Sequence, residues 1–190
     1  MEFIKKHAKF IPLVGVVMVI GIMFVTLYVT AQQVLRTNAN WPQIQIAEDV
    51  AAQLNNNNLT PQSLIGNSVD MSKSLASFTS IYDVTGRTVT GSGYLDGQVA
   101  VPPKGILTSA EGQPYNAVTW QPKSGVRIAA VVVKAKNYYV LSGRSLVEVE
   151  KNEGQILTIT LVGGLLSLVI VGGIVWLKLR IGLLDHSSRK

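Results

Sequence analysis

Cysteine is absent from this chain of 190 residues. Without a thiol the protein forms no disulfide and no thiolate metal site, and it lacks the cysteine that a lipoprotein carries as its lipid anchor. The fold must therefore be held together by packing, hydrogen bonds and ion pairs.

Histidine is scarce, since only His7 and His186 occur, one near each end of the chain. Neither stands with carboxylates at metal-ligand spacing, and both lie outside the region that carries most serines, which argues against a Ser-His-Asp arrangement. Phosphate-binding patterns are also missing, because Gly91-Ser-Gly93 leads into Tyr-Leu and no helix start follows. A Ser-Lys dyad stays open, although no pattern supports one. We expect no enzymatic activity, no metal and no cofactor.

Charge is missing from two long apolar runs, residues 11–31 and 156–177. Each run has about 21 or 22 residues, which at about 1.5 Å per residue matches the roughly 30 Å hydrocarbon core of a bilayer. Tyr28 and Trp176 lie near the ends of the runs, where aromatic rings favour the headgroup interface. The runs predict two transmembrane helices in a plasma membrane protein.

The outer flanks of both runs are basic, and this predicts that residues 1–10 and 178–190 are cytoplasmic while residues 32–155 form one extracytoplasmic domain. The flanking residues are Lys5, Lys6, Lys9, Lys178, Arg180, Arg189 and Lys190. Residues 32–155 hold ten Lys/Arg and nine Asp/Glu, a balance of 10 − 9 = +1, so most of the net charge of +6 belongs to the two ends. This distribution indicates contact with membrane lipid and no nucleic-acid partner.

A cleaved signal peptide is the alternative for the first run, because Val29-Thr30-Ala31 before Gln32 fits a small-residue cleavage site. Signal peptides usually have a hydrophobic region of about 7 to 15 residues, however, and this run is longer. The length favours an uncleaved anchor, and the alternative stays open.

The central region begins with an amphipathic pattern that predicts a helix over residues 41–55, with Asn40 as its cap and Pro42 in its first turn. Asp70 is a possible cap for a short helix. The pattern then becomes extended, and a hairpin is expected over residues 78–91 with its turn at Gly86. One or two helical turns follow at 104–110, and three strands are predicted at 115–121, 126–136 and 138–144.

A closing helix is predicted from the S-x-x-E pattern of Ser145 and Glu148, which is typical of a capping box. No proline interrupts the sequence from there to Leu177, so one helix can join the last strand to the second apolar run. The expected fold is α+β, with an antiparallel five-stranded sheet, an N-terminal helix and a helical crossover, flanked by two transmembrane helices.

This order of elements resembles the extracytoplasmic PAS-like (Cache or PDC) sensor domains of bacterial histidine kinases and chemoreceptors. The segments that carry the resemblance are residues 81–93, 118–122, 125–133 and 139–146. Residues 32–49 are also similar to the start of small two-span bacterial membrane proteins. The resemblance implies a sensor domain that binds a small ligand on the sheet face enclosed by the crossover.

Sensor kinases and chemoreceptors continue after the second span into a HAMP-type relay and a transmitter, whereas residues 178–190 are the only ones that follow here. We therefore expect a change in the domain to pass to a separate signalling partner or a second copy of the chain. The alternative is a structural or assembly subunit of a membrane complex that uses the same domain as a protein-binding surface.

The resemblance implies a set of ligand-binding residues on the strands and the crossover, namely Tyr94, Trp120, Arg127, Tyr138, Tyr139 and Arg144. An arginine such as Arg127 can bind a ligand carboxylate through two hydrogen bonds, but a solvated or salt-bridged arginine is the simpler alternative. The aromatic residues are equally expected in an ordinary core. Alternation places Arg127 on one face with Ala129, Val131 and Val133, and the apolar residues of both faces predict a central strand covered on each side.

The second apolar run contains the small residues Gly163, Gly164 and Ser167. Small residues four apart let helices approach closely, which favours packing against the first span or against a second copy. Gly15 and Gly21 are the possible partners in the first span. The general frequency of glycine in membrane helices is an equally good explanation.

Overall fold

The computed structural model describes residues 11–56 and 59–187. The chain divides into two compact units, one formed by Met1–Gln33 with Glu153–Lys190 and the other by Val34–Asn152. Residues 1–10 and 188–190, which belong to the ends predicted to be cytoplasmic, lie outside the described residues, as does His7.

The described residues form an α+β fold, as predicted. The helices are α1 (Ile11–Asn55), a 3-10 turn (Pro61–Leu64), α2 (Lys104–Thr108) and α3 (Val147–Ser187). The strands are β1 (Val69–Asp70), β2 (Phe78–Asp83), β3 (Thr88–Gly91), β4 (Gly93–Leu95), β5 (Gln98–Val99), β6 (Asn116–Lys123), β7 (Val126–Lys134) and β8 (Tyr138–Ser145).

Helices α1 and α3 are long and apolar enough to cross a membrane, over Pro12–Asn55 and Val147–Lys178. Their apolar windows are not buried within the protein. Residues such as Val19, Ile159 and Val169 expose about two thirds or more of their surface. The apolar side chains of these windows therefore face the surroundings.

The prediction that a helix begins at Asn40 is wrong, because α1 continues through this position without a break. Pro42 lies inside the helix, where it lacks the N–H that would bond the carbonyl of Asn38 and its ring crowds that carbonyl. Extending an existing helix adds one hydrogen bond per residue, whereas starting a new helix carries an unfavourable free energy of nucleation. The continuous helix is therefore favoured over the start that the capping pattern predicts. The predicted end at Asn55 is confirmed.

Five strands form the predicted antiparallel sheet, and their order is β3-β2-β8-β7-β6. The hairpin between β2 and β3 turns at Gly86, whose φ of +88° lies in the region that favours glycine. Strand β7 pairs with β6 on one side and β8 on the other, and its residues are almost all buried. The predicted central strand is therefore confirmed.

A smaller sheet in the order β1-β4-β5 was not predicted. Strand β1 ends at Asp70, and a turn follows it. The prediction that Asp70 caps a short helix is therefore wrong. Its carboxylate instead accepts hydrogen bonds from the Ser72 hydroxyl at 2.6 Å and the Ser72 N–H at 2.9 Å, which hold the pKa of Asp70 below its usual value. An aspartate carboxylate can accept a backbone N–H either in an Asx turn or at a helix start, so the sequence alone does not distinguish the two structures.

Two apolar layers pack against the large sheet, one on each face. The face towards α2, named the crossover face, carries Phe78, Tyr82, Trp120, Ile128, Ala130, Tyr139 and Leu141 and is covered by residues that include Met71, Leu107 and Ala110. The opposite face, named the helix face, carries Ile81, Val131, Val133 and Val140 beneath Ala47, Val50, Ala51 and Leu54 of α1. Each Val, Leu, Ile, Phe or Met side chain buried in this way contributes about 1.5–3 kcal/mol.

Polar groups also join α1 to the sheet. Gln43 is fully buried, its Oε1 accepts from the Ser142 hydroxyl at 2.7 Å, and its Nε2 donates to the Ser77 hydroxyl at 2.9 Å. Buried amide and hydroxyl groups are costly unless they are bonded, so this network fixes the register of α1 on strand β8.

The start of α3 differs from the predicted capping box. Ser145 is the last residue of β8, and its hydroxyl accepts weakly from the Val147 N–H at 3.4 Å. The Glu148 carboxylate is bound by Arg144 Nη2 at 2.6 Å, a charge-assisted bond that prevails over a backbone donor. The continuous helix from here through the second apolar run is confirmed.

Candidate functional site

A groove of about 800 Å³ opens on the crossover face, between the chain that leads into α2 and the end of strand β6. Eight of its eleven lining residues are apolar, and the other three supply two amide side chains and one carboxylate. The lining residues are Leu95, Asp96, Gln98, Val99, Ala100, Val101, Pro102, Pro103, Trp120, Gln121 and Pro122.

One wall of the groove is the β4–β5 hairpin and the extended chain after it. Asp96 and Gly97 both have positive φ, at 52° and 81°, as a two-residue type I′ turn requires. Pro102 and Pro103 then hold the chain extended, because their rings fix φ, and α2 begins directly afterwards at Lys104. The local sequence thus keeps this wall of the groove extended up to the start of α2.

Two tyrosine hydroxyls tie the crossover to the sheet. Tyr82 on β2 donates to the carbonyl of Ala100 at 2.7 Å, and Tyr139 on β8 donates to the Glu111 carboxylate just beyond α2. Burial raises the pKa of Tyr82, and the hydrogen bond to Glu111 raises the pKa of Tyr139 to about 12. Both phenols are therefore neutral donors at physiological pH, one at each end of the crossover.

An ion pair crosses the rim of the groove. Lys123 Nζ on β6 lies 2.9 Å from each carboxylate oxygen of Asp96. Both side chains are more than half exposed, so the pair contributes at most about 1 kcal/mol. Its main effect is to neutralise the carboxylate in the lining.

The structure distributes the predicted ligand residues over both faces of the sheet. Trp120 lines the groove and is 5% exposed, whereas Tyr139 is buried on the same face. Tyr94 is half-buried in the small sheet, on the strand that leads into the β4–β5 turn. Tyr138 packs on the helix face, as part of the layer beneath α1.

The two predicted arginines also lie away from the groove, next to the start of α3. Arg127 Nη1 contacts Glu150 Oε1 at 2.5 Å, and Arg144 Nη2 contacts Glu148 Oε2 at 2.6 Å. Both arginines are therefore in salt bridges, which is the alternative to a ligand-binding role. They bind the first turn of α3 to strands β7 and β8.

Sequence reasoning missed Asp96, Gln98 and the proline pair as lining residues, although a signal for them exists. Asp96-Gly97 stands between Tyr94-Leu95 and Gln98-Val99, and Asp-Gly between such residues is a strong hairpin pattern. The strands of that hairpin are only three and two residues long, too short to show alternation.

In the unit formed by the apolar helices, the ring of Phe24 on α1 lies against Gly163 and Gly164 on α3. A Cβ atom on Gly163 would meet Phe24 Cε1 at 3.1 Å. Gly15 and Gly21 have open space around them, so an aromatic ring makes this contact and the predicted glycine partners do not. Ser167 donates to the carbonyl of Gly163 at 2.8 Å within its own helix.

Comparisons with protein-family models, with curated proteins and with solved structures give no match. The geometry of the groove and the sequence pattern carry the functional argument.

Proposed function

We propose that the protein is a two-pass plasma membrane protein whose extracytoplasmic domain is a PAS-like sensor that binds a small ligand and signals through a separate partner. The groove of about 800 Å³ is the observation that carries the proposal. Its volume lies in the range of about 300–1,000 Å³ that is typical of ligand sites. It lies on the sheet face that the resemblance to Cache and PDC domains implies.

Two features support the membrane location and the orientation. The unburied apolar windows of α1 and α3 suit a hydrocarbon environment. Arg180 lies 5.3 Å from the Trp176 ring centroid, and a cation beside an aromatic ring near the end of an apolar helix suits a headgroup interface. Together with the basic flanks, this supports a topology in which both termini are cytoplasmic.

The lining favours a neutral ligand that has both polar and apolar parts. Gln98 and Gln121 offer amide groups, Lys123 already neutralises Asp96, and Arg127 and Arg144 are paired with glutamates outside the groove. A carboxylate ligand held by an arginine is therefore disfavoured. We propose binding without catalysis, with no cofactor and no nucleic acid.

Binding is tested with the full chain in lipid nanodiscs, screened by thermal shift against a broad library of neutral metabolites. A groove ligand at about 100 times its Kd stabilises the folded state by about 2.7 kcal/mol and raises Tm. Val101→Trp places an indole in the groove and abolishes the shift. Val84→Trp is the matched control, because Val84 has similar exposure, 51% against 57%, and lies outside the groove. No stabilising compound, or a shift that survives in Val101→Trp, contradicts the proposal.

A structural or assembly subunit is the second candidate, and the 57% exposure of Val101 at the groove favours it. An open groove whose wall includes an exposed apolar residue can receive a side chain of a protein partner as well as a small ligand. Crosslinking in native membranes separates the two functions. A stoichiometric complex that is independent of added metabolites supports the subunit, whereas ligand-dependent contact supports the sensor.

A further inference from the structure

Strand β6 contains a bulge where it lines the groove. Trp120 pairs with Ile128 and Lys123 pairs with Val126, so Gln121 and Pro122 together oppose the single residue Arg127 on β7. A bulge of this kind redirects side chains and is common beside functional sites. Here it brings Gln121 and Pro122 into the groove lining.

Arg127 contacts the start of α3 through both its backbone and its side chain. Its carbonyl accepts from the Leu146 N–H at 2.9 Å, and its guanidinium contacts the Glu150 carboxylate at 2.5 Å. Leu146 itself is buried against Ala129 and Ala39. Arg127 therefore lies opposite Gln121 and Pro122 of the groove lining and also binds the start of α3.

We propose that Arg127 is a positioning residue that couples the state of the groove to the first turn of α3. Filling the groove displaces the Gln121-Pro122 bulge, and the paired strand β7 carries this displacement to Arg127. The bond to Glu150 then loosens or moves with it. This inference rests on the proposed function, because it assigns an output to the same groove.

The second ion pair provides a matched control. Arg144 binds Glu148 in the same helical turn as the Arg127 pair, but it comes from β8, which is not next to the bulge. Loss of either pair loosens the start of α3. Only loss of the Arg127 pair removes the response to the groove.

Because the chain has no cysteine, the Gln121→Cys variant can carry a covalent probe of the groove. The full-length variant in nanodiscs is modified with N-benzylmaleimide, and hydrogen exchange is followed over residues 146–152. The reporter is the Glu150 amide, which donates to the Leu146 carbonyl at 2.9 Å. We expect modification to raise its exchange rate by up to about fivefold, the factor that loss of one exposed ion pair produces.

Adding Arg127→Gln should raise this rate without modification and remove the response to modification. Adding Arg144→Gln should leave the response intact, and Arg127→Lys should restore part of it. An equal response with Arg127→Gln, or none in Gln121→Cys alone, overturns the proposal. Equal melting temperatures before modification show that each variant is folded.

Failure of the coupling is distinct from failure of the proposed function. A library compound that stabilises the chain through the groove, together with no change at residues 146–152, supports binding and overturns coupling. A response to modification without any stabilising compound supports the coupling and contradicts ligand binding.

Discussion

The ring of Phe78 lies between Gly143 of the paired strand β8 and Gly93 of the small sheet, and neither glycine can accept a side chain. A Cβ atom on Gly143 would lie 2.5 Å from Phe78 Cζ, and one on Gly93 would lie 2.4 Å from Phe78 Cδ2. Phe78 is 3% exposed, so its ring has little space to move. The two glycines are therefore required by packing.

Gly143→Ala should lower the free energy of unfolding by about 1–3 kcal/mol, the usual cost of an overpacked core. Gly105→Ala is the control, since no atom lies within 4 Å of its added Cβ and alanine favours a helix by about 0.5–1 kcal/mol. Thermal unfolding of the full chain in nanodiscs measures both. A Gly143→Ala protein as stable as wild type would contradict the close contact.

Tyr139 predicts a dependence of stability on alkaline pH. Its pKa is raised from 10.0 to about 12 by the Glu111 carboxylate, so folding favours the neutral phenol. The stabilisation is complete below pH 10 and is lost as the pH rises through about 12. The melting temperature of wild type should therefore approach that of Tyr139→Phe between these pH values. Glu111→Gln should weaken the dependence, and a constant difference across the range would contradict it.

At the scale of elements, the Gln43 network joins helix α1 to the sheet. Gln43→Ala leaves the buried Ser142 hydroxyl without this acceptor and should lower stability by about 1–3 kcal/mol. Gln45→Ala, on the exposed side of the same helix, is the control and should have little effect. Denaturant titration measures both.

A double variant, Gln43→Leu with Ser142→Ala, removes both polar partners and should cost less than the sum of the two single changes. Additive costs would show that the two side chains act independently.

The strands of the large sheet could be predicted because their alternation and turns leave few options. Val126–Lys134 reads as buried on both faces, and Gly86 marks the preceding hairpin. The continuation of α1 through Pro42 could not be predicted, because the Asn-Trp-Pro pattern also suits a helix start. The contacts that favour a continuous helix over a new helix start involve residues far apart in the sequence. One example is the hydrogen bond that the Ser142 hydroxyl donates to Gln43.

The candidate site could be predicted only in part, for a similar reason. Trp120 and Tyr139 lie on the crossover face, whereas Arg127 and Arg144, for which the resemblance also implies a ligand role, are salt-bridged outside the groove. Their partners Glu148 and Glu150 come from the first turn of α3. A sequence pattern does not show which carboxylate an arginine will meet.

At the scale of the whole molecule, the proposed topology predicts which positions a membrane-impermeant maleimide reaches. Ser124→Cys, in the turn between β6 and β7, should react in intact cells. Ser187→Cys should react only after permeabilisation. The reverse pattern would contradict the orientation, and a purified chain that begins at Gln32 would show that the first apolar run is cleaved.

The bulge at Gln121-Pro122 has a further consequence for solubility. Strands β6 and β3 are the two edges of the large sheet, and exposed edges invite pairing with other chains. On β6 the proline removes a backbone donor, the bulge interrupts the regular spacing, and Lys123 adds a charge. Strand β3 is only four residues long. Each edge is thus a poor template for intermolecular strand addition, which protects the folded domain from aggregation even when many copies are crowded together.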